Sequence, residues 1–484
     1  MNLLIKILSV ALYAFFLMVV VFSISNASSW LKFGDNPPET TSNNLTNPIP
    51  EVNPRIVNAD RNSPAKAIDL ATTAIPGNKP EVQVNTIADP IRNFIRPPNK
   101  PVPMSGQNHF AFDLYQAIRS EHGNLIYSPY SISTVLAMAY LGAKGTTEKQ
   151  MAKTLHFPFP QNRQYPAVNV AELKLSDPSP INNANTFKLQ VANSIWGQKD
   201  YAFRPEFLTT VANKFATELQ LVDFKNPAER QQASVAINQW VNQSTEGMIQ
   251  ELISDQDLSE DTRLVLINAI YFKAEWQQKF ELDPPDVAFK FTLLDGNTVT
   301  FTKMSIRKSF RYTEGNGYQA VELPYKGNRM AMVIVLPAKG QFKDIEQQLN
   351  AQFVGQVLGG LVMPQPVDLY MPKFKYEAKL LLADTLANMG MPDPFIQGKA
   401  DFSGMDGEKD LFISKVIHKA VIAVDETGTE AAAATATRIS GIACGGPVSP
   451  PVSMRINRPF LFFIRDMTSN TVLFIGRVLN PLES

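Results

Sequence analysis

Cysteine is almost missing. The 484 residues include one, Cys444, so no internal disulfide can form and stability must come from packing. Histidine is nearly as scarce, at four, and no His/Cys cluster stands at a metal-ligand spacing, so neither metal nor cofactor is expected. Net charge is absent too. With 45 basic against 45 acidic residues, nothing suggests nucleic acid or an acidic substrate as a partner. No G-x-S-x-G, H-E-x-x-H, P-loop or dinucleotide fingerprint occurs, which argues against an enzyme. Ile442-Ala443-Cys444-Gly445-Gly446 shares small residues with a caspase nucleophile motif, but it lacks the Gln and a His about 50 residues upstream. Cys444 is therefore read as an exposed loop thiol.

What is present falls into three parts. Lys6 precedes an apolar run from Ile7 to Ile24, and Ser25-Asn26-Ala27 offers small residues for cleavage. Residues 1–27 are thus a signal peptide or, since the run is just long enough to span a bilayer, a membrane anchor. Either way the remainder is exported, secreted or periplasmic, and meets a membrane only through residues 7–24 if they are retained. Residues 28–104 hold 13 of the 35 prolines, are rich in Asn and Thr and lack periodicity; they read as an extended, mostly disordered spacer. Residues 105–484 read as one globular part, and 44% hydrophobic content suffices for a large core.

Within the globular part, Phe110, Leu114 and Ile118 recur at helical spacing, and Ser128-Pro129 opens a second helix that runs through Leu141. Further helices are expected over 203–215, 237–248 and 380–389. Strands are expected over 187–196, 330–336, 367–371 and 411–424, with a terminal hairpin of 457–465 and 471–478. The run 264–276 is almost continuously apolar, hence a strand buried on both faces, in which Asn268 needs partners. His418 is the only His in an expected strand, lacks companions for a metal and is read as a satisfied core histidine. Strands and helices mix without strict alternation, which makes the class α+β.

The organising stretch follows the 411–424 run: Glu426-Thr427-Gly428-Thr429-Glu430-Ala431-Ala432-Ala433-Ala434-Thr435. As a helix it would have no apolar face to bury. Taken with period two, one face carries Thr429, Ala431, Ala433 and Thr435, all small and uncharged, while Glu430 and Arg438 share the other with Ala432, Ala434 and Ala436. Such a segment can live as an exposed loop and also slide into a sheet as a strand with one face buried and one wet.

This stretch resembles the reactive-loop hinge of serpins, the inhibitors that trap proteases. Asn268–Trp276, with its Asn-x-x-x-Phe-Lys-x-x-Trp pattern, Tyr318–Tyr325, Ala400–Met405, Ile417–Ala420 and Asn457–Phe460 through Gly476 resemble the same family, over roughly Gln107 to Pro481. The resemblance implies a large central mixed/antiparallel sheet, smaller sheets, about eight or nine helices and an exposed loop near the C-terminus. It implies Ser128, Ser131, Asn268 and His418 beneath the sheet's centre, and Trp276 at the top, where the loop enters. The family's scissile carbonyl lies usually at the seventeenth residue from the hinge Glu; from Glu426 that is Ile442, giving the bond Ile442–Ala443. The aliphatic Ile442 suits an elastase-like or subtilisin-like protease. The implied function is suicide-substrate inhibition of serine, or cysteine, endopeptidases by a monomer. A non-inhibitory carrier or chaperone is the alternative, and the hinge shows none of the Pro, charge or bulk that would normally mark one.

Overall fold

The computed structural model describes residues 100–157, 187–282, 289–429 and 450–483. The reactive bond Ile442–Ala443, the hinge residues Glu430, Ala431, Ala432, Ala433, Ala434 and Thr435, Cys444 and the N-terminal run lie outside the described residues.

The six-stranded sheet has the order β12 (Phe374–Leu381), β13 (Ile413–Val424), β14 (Gly428–Thr429), β4 (Leu264–Glu275), β2 (Phe187–Gln198), β3 (Leu219–Val222). It is mixed: β13 runs parallel to β4 and β2 parallel to β3, while β12–β13 and β2–β4 are antiparallel. A larger sheet runs β1 (Leu125–Tyr127), β17 (Val472–Val478), β16 (Phe460–Asp466), β10 (Met330–Pro337), β9 (Tyr318–Pro324), β8 (Lys303–Gly315), β11 (Pro364–Pro372), β15 (Val452–Arg455), with β5 (Glu281–Leu282) pairing β8. A separate hairpin joins β6 (Phe289–Thr292) and β7 (Thr298–Phe301).

The described residues form eight α-helices: α1 (Gly106–Ile118), α2 (Pro129–Tyr140), α3 (Gly145–Thr154), α4 (Pro205–Phe215), α5 (Pro227–Ser244), α6 (Phe342–Gln348), α7 (Ala351–Gly360) and α8 (Ala383–Asn388). All twelve residues of α2 are buried, as expected of a helix apolar on every side. It packs on β2 and β4 and also on β17, so it is wedged between the two sheets. β10 is buried throughout and β4 nearly so, which is why both read as unbroken apolar runs.

Among the boundaries that differ from expectation, three have a visible cause or consequence. Leu380 and Leu381 end β12, opposite His418 and Ile417, and the helix begins only at Ala383, because pairing along the sheet edge overrides local propensity. The helix expected from Ile237 starts ten residues earlier, at Pro227, where the Asn226 side chain accepts the amides of Ala228 and Glu229. The strand expected to reach Trp276 ends at Glu275; Trp276 makes a lone bridge to Tyr325.

Candidate functional site

The site lies along the seam between β13 and β4. From Ile413 opposite Leu264 to Val421 opposite Tyr271 these two strands pair directly, in parallel. Above that level the chain turns back on itself. Val424 pairs with Thr429, while Gly428 and Thr429 pair with Glu275 and Ala274. The first two hinge residues of β14 therefore already separate β13 from β4 at the top, and the seam is closed below.

Local chemistry makes this turn. The Asp425 carboxylate accepts the amides of Thr427 (2.8 Å) and Gly428 (3.0 Å) and the Thr427 hydroxyl (2.6 Å), and the Asp425 amide donates to Gly428 O (2.9 Å). At Gly428 a Cβ would stand 2.0 Å from Ala274 O and 2.7 Å from Glu275 Cα, so only glycine permits this approach to β4. Trp276 holds the turn at two points: its amide donates to Thr427 O and its Nε1 to Asp425 O, both at 2.9 Å. Its ring stacks on Tyr325 at 4.6 Å, and the Tyr325 hydroxyl shares a 2.6 Å hydrogen bond with the hydroxyl of Thr429. Thr429 is completely buried. Burial pushes the Tyr325 phenol well up, so it stays protonated, despite the opposing effect of the Thr429 bond. Burial also pushes the Glu426 carboxyl up, but the Lys373 ammonium paired with it outweighs this and holds it below the usual value.

The centre of the seam is polar and buried. His418 and Asn268 face each other across it, and the ring Nδ1 bonds the Asn268 carbonyl oxygen. The Ser128 amide donates to His418 Nε2 at 3.2 Å, which puts the ring proton on Nδ1. Burial lowers the His418 value from 6.5 to about 3, so the ring is neutral. The Asn268 amide donates to Ser131 Oγ and to Asn193 Oδ1, and the Ser131 hydroxyl donates to Asn193 Oδ1 at 3.1 Å. Ser128 also caps α2, accepting the Ser131 amide at 3.1 Å. The two serines thus act as a helix cap and as a clasp under the sheet.

The structure brings Ser128, Ser131, Asn268 and His418 into this one network, and sets Trp276 beside Glu426, Gly428 and Thr429 at the top. The sequence reading missed Asn193, Tyr325, Asp425 and Lys373. Asn193 carried a faint signal: it is a lone Asn in β2, directly opposite Asn268. Tyr325 closed the Tyr318–Tyr325 motif, but nothing local pointed to its hydroxyl partner 104 residues away. Among the described residues no group of three His, Cys, Asp or Glu could hold a metal, and no helix is long and apolar enough to cross a membrane.

The family model described as Serpin (serine protease inhibitor) matches residues 105–481. The chain belongs to the serpin family. A serpin-like protein of Thermococcus kodakarensis is 38% identical over 385 residues, 79% of this chain and 87% of that one. The human leukocyte elastase inhibitor is 37% identical over 392 residues, 78% of this serpin and 99% of the relative. The crystal structure of Serpin48 from the insect Tenebrio molitor shares the fold with a TM-score of 0.65 and 29% identity, covering 78% of this chain and 97% of that one. This serpin is accordingly an α+β protein of the inhibitory type, in a family described as serine protease inhibitors.

Proposed function

We propose that this serpin is an exported suicide-substrate inhibitor. A serine protease with an elastase-like or subtilisin-like pocket attacks the Ile442 carbonyl and displaces the Ala443 amine, giving an acyl-enzyme. The freed segment from Glu430 onward then slides between β13 and β4, carrying the tethered protease with it. Drawing the ester away from the protease's base and oxyanion donors slows its hydrolysis by orders of magnitude. The aliphatic Ile442 and the name of the human relative, leukocyte elastase inhibitor, both favour this protease class.

The observation that carries the reading is β14. The hinge sits between the two strands that must part, with Thr429 buried and its backbone paired on both sides. Insertion has only to continue along a seam already opened at one end. It breaks the parallel β13–β4 ladder and forms two antiparallel ones. The net gain is about one ladder; at about 1 kcal/mol per bond this is several kcal/mol, before burial of the Ala431, Ala433 and Thr435 face. An intact sheet that is paired, but less well than it could be, is kinetically trapped.

Incubation with a protease panel, followed by denaturing electrophoresis, tests this directly. A covalent band resistant to SDS is expected with an elastase-like or subtilisin-like enzyme, and the released C-terminal fragment should begin at Ala443. If every protease that cuts the loop stays fully active and no such band forms, the carrier alternative takes over.

A further inference from the structure

The family match starts at Ser105, which caps α1, yet the five residues before it are part of the fold. In Lys100-Pro101-Val102-Pro103-Met104 the two prolines fix their own φ angles, push the residue before each toward an extended conformation and donate no hydrogen bond. Val102 carries the only amide of the Pro-Val-Pro triplet, and that amide donates to Gly355 O on α7 at 2.8 Å. Its side chain is 6% exposed and belongs to the main core, and Met104 packs against the same core.

The fit depends on two glycines one turn apart on α7. A Cβ at Gly355 would stand 2.6 Å from Val102 O. At Gly359 it would stand 2.4 Å from Lys100 O and 3.2 Å from Pro101 Cα. Both obstacles are backbone, which no side-chain rotation can relieve. Glycine is a poor residue inside a helix, and the seated segment gives these two positions a physical reason.

We propose that Lys100–Met104 is a docking strap, clipped onto the glycine face of α7, so that the N-terminal region joins the fold at α7 rather than at the start of α1. This reading goes beyond the inhibitory function and does not depend on it.

The test is hydrogen exchange on the full-length chain, with overlapping peptides that isolate the Val102 amide. In the wild type this amide should exchange at least about tenfold more slowly than in an unstructured peptide. In Gly355→Ala/Gly359→Ala it should reach the unstructured rate, while peptides from β4 and β13 are unchanged. The melting temperature should fall, although alanine is the better helix former. Should the double variant not fold, Val102→Gly leaves α7 intact, removes the buried side chain and should release the same amide. An unprotected Val102 amide in the wild type would overturn the proposal. So would retained protection, or a raised melting temperature, in the glycine variants.

Discussion

The two ends of the β13–β4 seam are built from opposite materials. At the top, Trp276 and Tyr325 form an aromatic floor for a glycine and a threonine, and the hydroxyls of Tyr325 and the buried Thr429 share a hydrogen bond. At the centre, His418, Asn268, Asn193, Ser128 and Ser131 are cross-bonded, and all but Asn193, which keeps 7% of its surface exposed, are closed to water. A slot lined with apolar rings accepts any small side chain that arrives. A hydrogen-bonded network resists parting, because each separated group would be left buried without a partner. The seam is thus open to its hinge at one end and latched at the other. In the proposed mechanism the latch holds the intact form, and the slot decides what can begin to replace it.

The largest effect should come from spoiling the slot. Thr429→Arg would force an unpaired charge into a fully buried position or expel the hinge from the sheet. The proposed scissile bond, Ile442–Ala443, is left unchanged by this substitution. Covalent complex per cleavage event should fall at least about tenfold while the cleavage rate holds, because several kcal/mol oppose the first step of insertion. Equal yields of complex from wild type and variant would mean that the slot does not gate insertion.

Breaking the latch should act on the other form. Asn268→Ala leaves His418 Nδ1, Ser131 and Asn193 without a shared partner, and should cost the intact protein about 2–4 kcal/mol in denaturant unfolding. In the proposed inserted form β13 and β4 would no longer be neighbours and the His418–Asn268 bond would already be lost. The cleaved form should therefore lose much less stability. Equal losses in the two forms would show that the latch does not distinguish them.

A smaller effect follows from pH. The folded value of His418 is depressed to about 3 by burial, below the 6.5 of an exposed ring. Between these values the unfolded chain binds a proton that the folded chain does not, so stability falls as pH drops through 6.5, by up to about 1.4 kcal/mol per unit. Carboxyls held low by a partner, such as Glu426, lose their contribution only below about their ordinary 4.5. Between pH 6.5 and 5 the slope should belong to His418, and His418→Gln should flatten it. An unchanged slope in that variant would place the titrating group elsewhere.

Legibility in the sequence followed the same division. Asn268 was readable as a lone Asn in an almost continuously apolar run, where it needs a partner, and His418 as the only His in an expected strand. Their pairing, and the role of the two serines, came from the resemblance alone; local reading offered only the cap on α2. Tyr325 and Asn193 stayed hidden because their partners exist only after distant stretches meet. The hinge faces could be assigned by period two, but the fact that Gly428 and Thr429 are already seated could not. The strand β8 was obscured by the exposed Arg307, Lys308 and Ser309 in mid-strand. α7 was obscured by three glycines that propensity reads as turns, two of which make room for residues 100–104.

The central claim is that the intact sheet is less stable than the one it becomes, and melting before and after loop cleavage measures it. Followed by circular dichroism, the cleaved protein should melt at least several degrees above the intact one, since a gain of several kcal/mol is spread over the unfolding entropy of a domain of this size. Ordinary nicking of an exposed loop does the reverse. An unchanged or lower midpoint would mean that the cleaved segment does not enter the sheet, and trapping by insertion would lose its driving force.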